Sequence, residues 1–312
     1  MKDHGAVMLT MTLSTRGSDS QCSIEPQPQS EGETLTLAIR PPGETAMSNG
    51  TTGGAIVEAQ RSGLIQAFTF DSFIAGQANA LPHAVALQIA RKPADDRTPL
   101  YIHGAVGLGK THLAHAIANA VQASHPDARI ACRRSDELVG DVVRAYQHRT
   151  FEVFERYYRS LDVLAVDGIQ FLDHKERTQE ELRYIVIDLV AAGKLVVVTG
   201  DLRLKEMQGL DARLISILAA GVSIELVPPD IYTRVAILEQ WASAAAMNLP
   251  DDVATFIAAS CPDDVRLLQG AWNLVTCYAA FYKSPIDLAL ARSALATIQL
   301  PGPEVFIEER SG

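Results

Sequence analysis

The sequence predicts an α/β fold, a parallel sheet flanked by helices, followed by a small all-helical domain. Three observations carry that reading. Short β-rich runs alternate with helix-periodic stretches from Leu64 onward. A glycine-rich loop, "GAVGLGK" at 104–110, joins one such strand to one such helix. After Pro228 and Pro229 the pattern turns purely helical. Strands that are apolar along their whole length, with amphipathic helices between them, are buried on both faces, as in parallel sheets.

The elements follow in order. "LYIHG" reads as a short buried strand and "THLAHAIANAVQAS" as a helix with apolar residues at helical spacing. "ARIACR" is a strand, and "SDELVGDVVRAYQHRTFEVFERYYRS" reads as one long helical region. "LDVLAVDG", "RTQEELRYIVIDLVAAG" and "KLVVVTGD" make strand, helix and strand, and "VSIELVP" closes the series. Beyond the two prolines, "DIYTRVAILEQWASAAAM", "DDVATFIAAS", "DDVRLLQGAWNLVTCYAAFY" and "PIDLALARSALATI" form a bundle with short polar or proline breaks. Residues 1–64 differ from the rest. They are rich in Ser, Thr, Gly, Pro and Gln and poor in large apolar residues, so they cannot offset their ordering entropy and are expected to be a disordered extension. The expected division is 1–64 extension, 65–228 nucleotide-binding α/β domain, 229–300 helical lid and 301–312 tail.

The glycine loop matches G-x-x-x-x-G-K-[ST] from Gly104 to Thr111, in the strand–loop–helix context the motif requires. Gly104, Gly107 and Gly109 let successive N–H groups turn toward phosphate oxygens, and the helix N-terminus adds partial positive charge. Lys110 would reach the β- and γ-phosphates, and the Thr111 hydroxyl would sit on Mg²⁺. A P-loop protein needs a second strand ending in an acid to help hold that ion. "DVLAVDG" supplies Asp167, with Gly168 following it. A third strand ends in Thr199 and Asp201, polar groups that either sense the γ-phosphate or mark a turn.

Composition limits the partners. The net charge is −10 and the isoelectric point about 5.3, so the chain as a whole is not drawn to phosphate backbones and any nucleic-acid contact must be local. Cys22, Cys132, Cys261 and Cys277 show no CxxC spacing and suit a reducing compartment. Asp188 and Lys194 interrupt the best apolar run, and no secretion signal is visible, so neither a membrane span nor export is expected. A cytoplasmic protein is the expectation.

With these residues in place, the chain resembles the ATPase portion of the bacterial replication initiator family, DnaA and its shorter Hda-type relatives. The likeness covers roughly residues 66–300. It rests on "FTFDSFIAGQAN", "GLGKTHL", "IQF", "KERTQEE", "DARL", "PPD" with "TRVAIL", and "DDVRLLQGA". It implies an AAA+ core with a helical lid, ATP or ADP with Mg²⁺ as cofactors, and DnaA or another AAA+ protomer as partner. It implies that Phe73, Ile74 and Asn79 lie beside the adenine. It implies that Arg266 is the lid arginine at the γ-phosphate, and that Arg213 acts in nucleotide-dependent assembly. It implies that Lys175 and Arg177 face single-stranded DNA. Asp167 and Asp136 are the catalytic carboxylates it implies, Asp136 standing where the family places a glutamate.

The departures are as specific. The family has two adjacent aspartates where this chain has Asp167-Gly168, and its arginine finger falls at Ile217. The duplex-reading helix-turn-helix is not found before Gly312, so sequence-specific duplex binding is not expected. "QAFTF" at 66–70 poorly matches the glutamine-led motif of Hda relatives, which leaves docking on the sliding clamp doubtful. The expected function is nucleotide binding that regulates replication initiation, with weak or no hydrolysis. A helicase-loader-type ATPase and a non-catalytic, nucleotide-dependent interaction protein are the alternatives.

Overall fold

The computed structural model of the protein describes residues 62–91, 98–261 and 264–297. The expected extension up to residue 61, including its "TLTLAIR" stretch, and the tail 301–312 lie outside the described residues.

Five strands form one parallel sheet: β1 Leu100–His103, β2 Ile130–Arg134, β3 Val163–Asp167, β4 Leu195–Gly200 and β5 Val222–Glu225, in the order β2-β3-β4-β1-β5. Alternation along each strand divides the core in two. Leu164 and Val166 of β3 face one side with Val196 and Val198 of β4. Val163 and Ala165 face the other with Leu195 and Val197. The first side is covered by α3 Ser135–Gln147, α4 Phe151–Arg159, α5 Glu176–Ala191 and α6 Ala212–Ala219. The second is covered by α1 Ala80–Arg91 and α2 Lys110–Ser124. A third apolar cluster lies within the helical part, α7 Ile231–Ala244, α8 Asp251–Ser260, α9 Val265–Tyr282 and α10 Leu288–Leu295. Among the described residues, no helix is long and apolar enough to cross a membrane.

Two elements differ from expectation. Residues 135–160 are not one helical region. The chain turns at His148–Thr150, where Arg149 takes a left-handed φ of 54°, and the break lets α4 fold back so that Phe154 and Tyr158 enter the same core as Leu138 and Val142. The second difference is α1, which the strand–helix series omits. Its sequence, "ALPHAVALQIAR", buries Ala86, Ile89 and Ala90, small and short-spaced residues that give a weak periodic pattern.

Strand order places the glycine loop. The chain leaves β1 for the distant β2 and later returns from β4 past β1 to β5. The carboxyl ends of β1, β3 and β4 thus open at a point where the direction of winding reverses, the usual ligand crevice of such sheets.

Candidate functional site at the carboxyl edge of the sheet

Three glycines of the loop have positive φ: Gly104 at 144°, Gly107 at 86° and Gly109 at 89°. A side chain at Gly107 would collide with Asp264, since an added Cβ would stand 1.9 Å from its Oδ1. That contact and a bond from Val265 N–H to the Gly107 carbonyl (3.2 Å) bring the first residues of α9 directly onto the loop.

Lys110 opens α2 with its side chain largely buried and curled back over the loop. Its ammonium donates to the carbonyls of Gly104 and Ala105, both at 2.7 Å, and pairs with Asp201 Oδ1 at 2.9 Å. The other Asp201 oxygen accepts from Gln170 Nε2 at 2.7 Å. Thr111 Oγ1 donates to Asp167 Oδ2 (2.8 Å) and Thr199 Oγ1 to Asp167 Oδ1 (2.6 Å). The Thr199 hydroxyl in turn accepts from Gly168 N–H (2.9 Å). Two networks therefore meet at the loop, one holding the ammonium and one holding the Asp167 carboxylate. Burial, and after it the Asp201 charge, push the Tyr101 phenol up, and that hydroxyl donates to the Leu202 carbonyl beside Asp201.

A cleft beside the loop is lined by Phe73, Ile74, Leu108, His112, Ile237 and Trp241. Ser72 and Asn79 line it as well. Phe73 lies against Gly109, 2.9 Å from where a Cβ would stand, and edge-on to His112. His112 Nε2 lies 3.0 Å from Ser72 Oγ and 3.1 Å from the Thr69 carbonyl. Gln240 of α7 donates to the Asp71 carbonyl (3.1 Å). The same short segment thus touches the sheet part and the helical part. Burial holds the His112 and His115 imidazoles below their ordinary value.

Asn79 also lines the cleft, but its amide is spent on backbone. Nδ2 donates to the Val227 carbonyl and Oδ1 accepts the Val227 N–H, both at 2.9 Å. This two-bond clamp ties residue 79 to the strand exit just before Pro228.

The remaining candidates lie apart from this network. Asp136 is exposed in the first turn of α3 and pairs with Arg134 at 2.8 Å. Arg213 is exposed at the start of α6, its N–H held by Asp211. Ile217, one turn on, packs against the sheet core. Arg266 is exposed in the first turn of α9, its N–H capped by Asp264. Lys175 is exposed just before α5. Arg177 is engaged with Glu180 (2.7 Å) and Glu181 (2.9 Å). Its guanidinium stands 4.8 Å over the Tyr146 ring and Nε donates to the Tyr146 hydroxyl. The sequence reading missed Gln170. "IQF" marked the family, yet nothing in spacing shows that this amide reaches Asp201.

The donor set suits Mg²⁺. Among the described residues no cluster of three or more His, Cys, Asp or Glu could hold a metal by itself. Mg²⁺ is commonly held by one or two protein oxygens plus phosphates and water, and the hard oxygens of Thr111 and Asp167 supply that number.

Fold and site together define a P-loop α/β protein of the AAA+ class with a helical lid. Comparison with known proteins narrows the class. Residues 64–225 match the family described as the bacterial DnaA ATPase domain, and the chain belongs to that family. It is 46% identical over 228 residues to the chromosomal replication initiator protein DnaA of Aromatoleum aromaticum, covering 73% of this chain and 47% of the relative. It is 39% identical over 292 residues to that of Ralstonia pickettii, covering 94% and 54%. The chain thus spans about half the length of the curated relatives it matches. Among solved structures, domain III of the Thermotoga maritima replication initiation protein DnaA superposes with a TM-score of 0.72 at 32% identity, covering 75% of this chain and 97% of that one. AMPPCP-bound DnaA from Aquifex aeolicus gives 0.62 at 28% identity, covering 69% and 66%.

Proposed function

We propose that this chain is a nucleotide-dependent regulator of replication initiation. It binds ATP or ADP with Mg²⁺ in the cytoplasm, contacts DnaA or another AAA+ protomer, and hydrolyses ATP weakly or not at all. The observation that carries the reading is the convergence of Lys110, Thr111 and Asp167 at one edge of the sheet, beside a cleft walled by Phe73 and Trp241. Named relatives are replication initiators, and one neighbour is DnaA bound to AMPPCP and single-stranded DNA.

In this reading Gly104, Gly107 and Gly109 turn backbone N–H groups toward the phosphates. Lys110 exchanges Asp201 for the β- and γ-phosphate oxygens, a charge-assisted replacement. Thr111 and Asp167 hold Mg²⁺, and the bound ion offsets phosphate charge. Asp201 and Arg266 face the γ-phosphate, and Phe73, Ile74 and the clamped Asn79 shape the adenine side. Arg213 serves assembly. Weak hydrolysis follows from two missing groups. Gly168 has no side chain to orient water, and Ile217 carries no charge to offset the transition state. An arginine finger contributes roughly three to five orders of magnitude in rate. The same departures favour a second reading, a non-catalytic protein whose nucleotide only sets its shape. Single-stranded DNA binding through Lys175 and Arg177 should be weak, because phosphate must displace Glu180 and Glu181 from Arg177, and it should fall steeply with salt.

Titration calorimetry tests the core of this. ATP and ADP should bind in the presence of Mg²⁺, and Lys110→Ala should abolish binding. A wild-type protein that binds neither nucleotide refutes it. Turnover should be slow and independent of protein concentration, and capture of DnaA should depend on the nucleotide supplied. Brisk turnover, or capture indifferent to nucleotide, removes the corresponding part.

A further inference from the structure

We propose that Asp264 is a charge gate on the phosphate loop. Its carboxylate holds nucleotide affinity down, and arriving phosphates drive it and the first turn of α9 off Gly107. The inference rests on the reading that the loop holds nucleotide phosphates, and names how that site is regulated.

Four observations place the charge. The whole carboxyl group of Asp264 lies on Gly107: a Cβ at that glycine would stand 1.9 Å from Oδ1, 2.5 Å from Cγ and 3.0 Å from Oδ2. The residue is half-buried, and among the described residues no Lys or Arg pairs with it. Its Oδ1 accepts the Arg266 N–H at 2.7 Å, which makes Asp264 the cap of α9. The next N–H, that of Val265, donates to the Gly107 carbonyl at 3.2 Å. Cap and loop therefore share one carboxylate, and moving it off Gly107 disturbs the start of α9.

The consequence follows from distance. A phosphate oxygen accepting the Gly107 N–H would lie within about 8 Å of Asp264 Oδ1, whichever way the carboxylate points, by ordinary bond and hydrogen-bond lengths. Coulomb repulsion depends on that distance and not on direction. Screening at physiological salt leaves charges about 8 Å apart still coupled. Mg²⁺ cancels only part of the charge on ATP or ADP, so the phosphates remain anionic. The carboxylate also offsets the positive end of α9, which would otherwise stand beside them.

Arg266 gives the movement a direction. It stands two positions beyond Asp264, and side chains that far apart do not share a helix face. With Asp264 against the loop, Arg266 is exposed. Release of Asp264 lets α9 turn its cation toward the phosphates in place of its anion.

The test separates charge from capping. Asn caps a helix as well as Asp does, so Asp264→Asn removes the charge and keeps the cap. Asp264→Glu keeps the charge and loosens the cap. Affinities of the full-length proteins for ADP and ATPγS with Mg²⁺ are measured by calorimetry at about 20 mM and about 500 mM salt, where charges are weakly and strongly screened. Asp264→Asn should bind at least about threefold tighter than wild type at low salt and within about 1.5-fold of it at high salt. Asp264→Glu should bind no tighter than wild type at either. Hydrogen exchange reads the lid. Saturating nucleotide should speed exchange in the first turn of α9 in the wild type, and leave it unchanged or slower in Asp264→Asn. Equal affinities of wild type and Asp264→Asn overturn the proposal, as does a gain that survives high salt or is shared by Asp264→Glu. Equal protection of that turn by nucleotide in wild type and Asp264→Asn also overturns it, since Asp264 would then only cap α9. A wild type that binds neither nucleotide defeats the underlying reading, and this proposal with it.

Discussion

Replacing Asn79 by alanine tests the joint between the sheet and the helical part. The side chain is 4% exposed and makes two bonds of 2.9 Å to one residue, Val227. Alanine removes both and strands the Val227 N–H and carbonyl in a half-buried position. A net hydrogen bond contributes about 0.5–1.5 kcal/mol, and stranding its partner raises the loss. Since Val227 is only half-buried, water recovers part of this, and a loss of about 2 kcal/mol is expected. At this chain size each kcal/mol shifts the melting midpoint by roughly 2–4 °C, so the midpoint should drop by about 4–8 °C. Asn79→Asp sharpens the test. One oxygen still accepts the Val227 N–H, but the other faces the Val227 carbonyl, acceptor against acceptor. Its loss should match or exceed that of alanine at neutral pH and shrink in acid, where the protonated group donates again. Calorimetric melting of the three proteins measures this. An Asn79→Ala midpoint within about 1 °C of wild type would refute the clamp.

Two other outcomes are expected. Gly107→Ala places a Cβ 1.9 Å from Asp264 Oδ1 at a φ of 86°, and the same oxygen caps α9 through Arg266 N–H at 2.7 Å. The substitution should cost roughly 1–3 kcal/mol in melting experiments and weaken nucleotide binding with it; wild-type stability would contradict the close approach. The second outcome is a pH dependence. Because burial lowers the folded pKa of His112 and His115, the folded state binds fewer protons between that value and the unfolded value of about 6.5. Stability is then complete above the unfolded value and falls as pH drops through the window. His115 Nδ1 accepts the Ile65 N–H at 3.1 Å, a bond that protonation removes. The urea midpoint should fall from pH 7.5 to 5.5, and His115→Gln should reduce the fall; identical slopes would show that this imidazole stays out of the linkage.

The sequence by itself determined the local and periodic features. The strand–helix alternation, the loop from Gly104 to Thr111, the acid ending β3 and the helical run after Pro229 are each written within a few residues. Each follows from short-range rules of spacing, glycine conformation and helix capping. The family was equally legible, because its motifs are contiguous. The tertiary structure alone decided which distant side chains meet. Lys110 pairs with Asp201, ninety-one positions on, because β4 lies beside β1 in the sheet, though β2 and β3 intervene in sequence. Asn79 finds Val227 because α1 packs near β5 at the sheet edge. Gln170 reaches Asp201 across the tops of β3 and β4, and Arg177 is claimed by Tyr146 from α3. No local pattern encodes such pairs. Their distances are set by strand order and helix packing, which arise from burying both sheet faces of the whole chain at once.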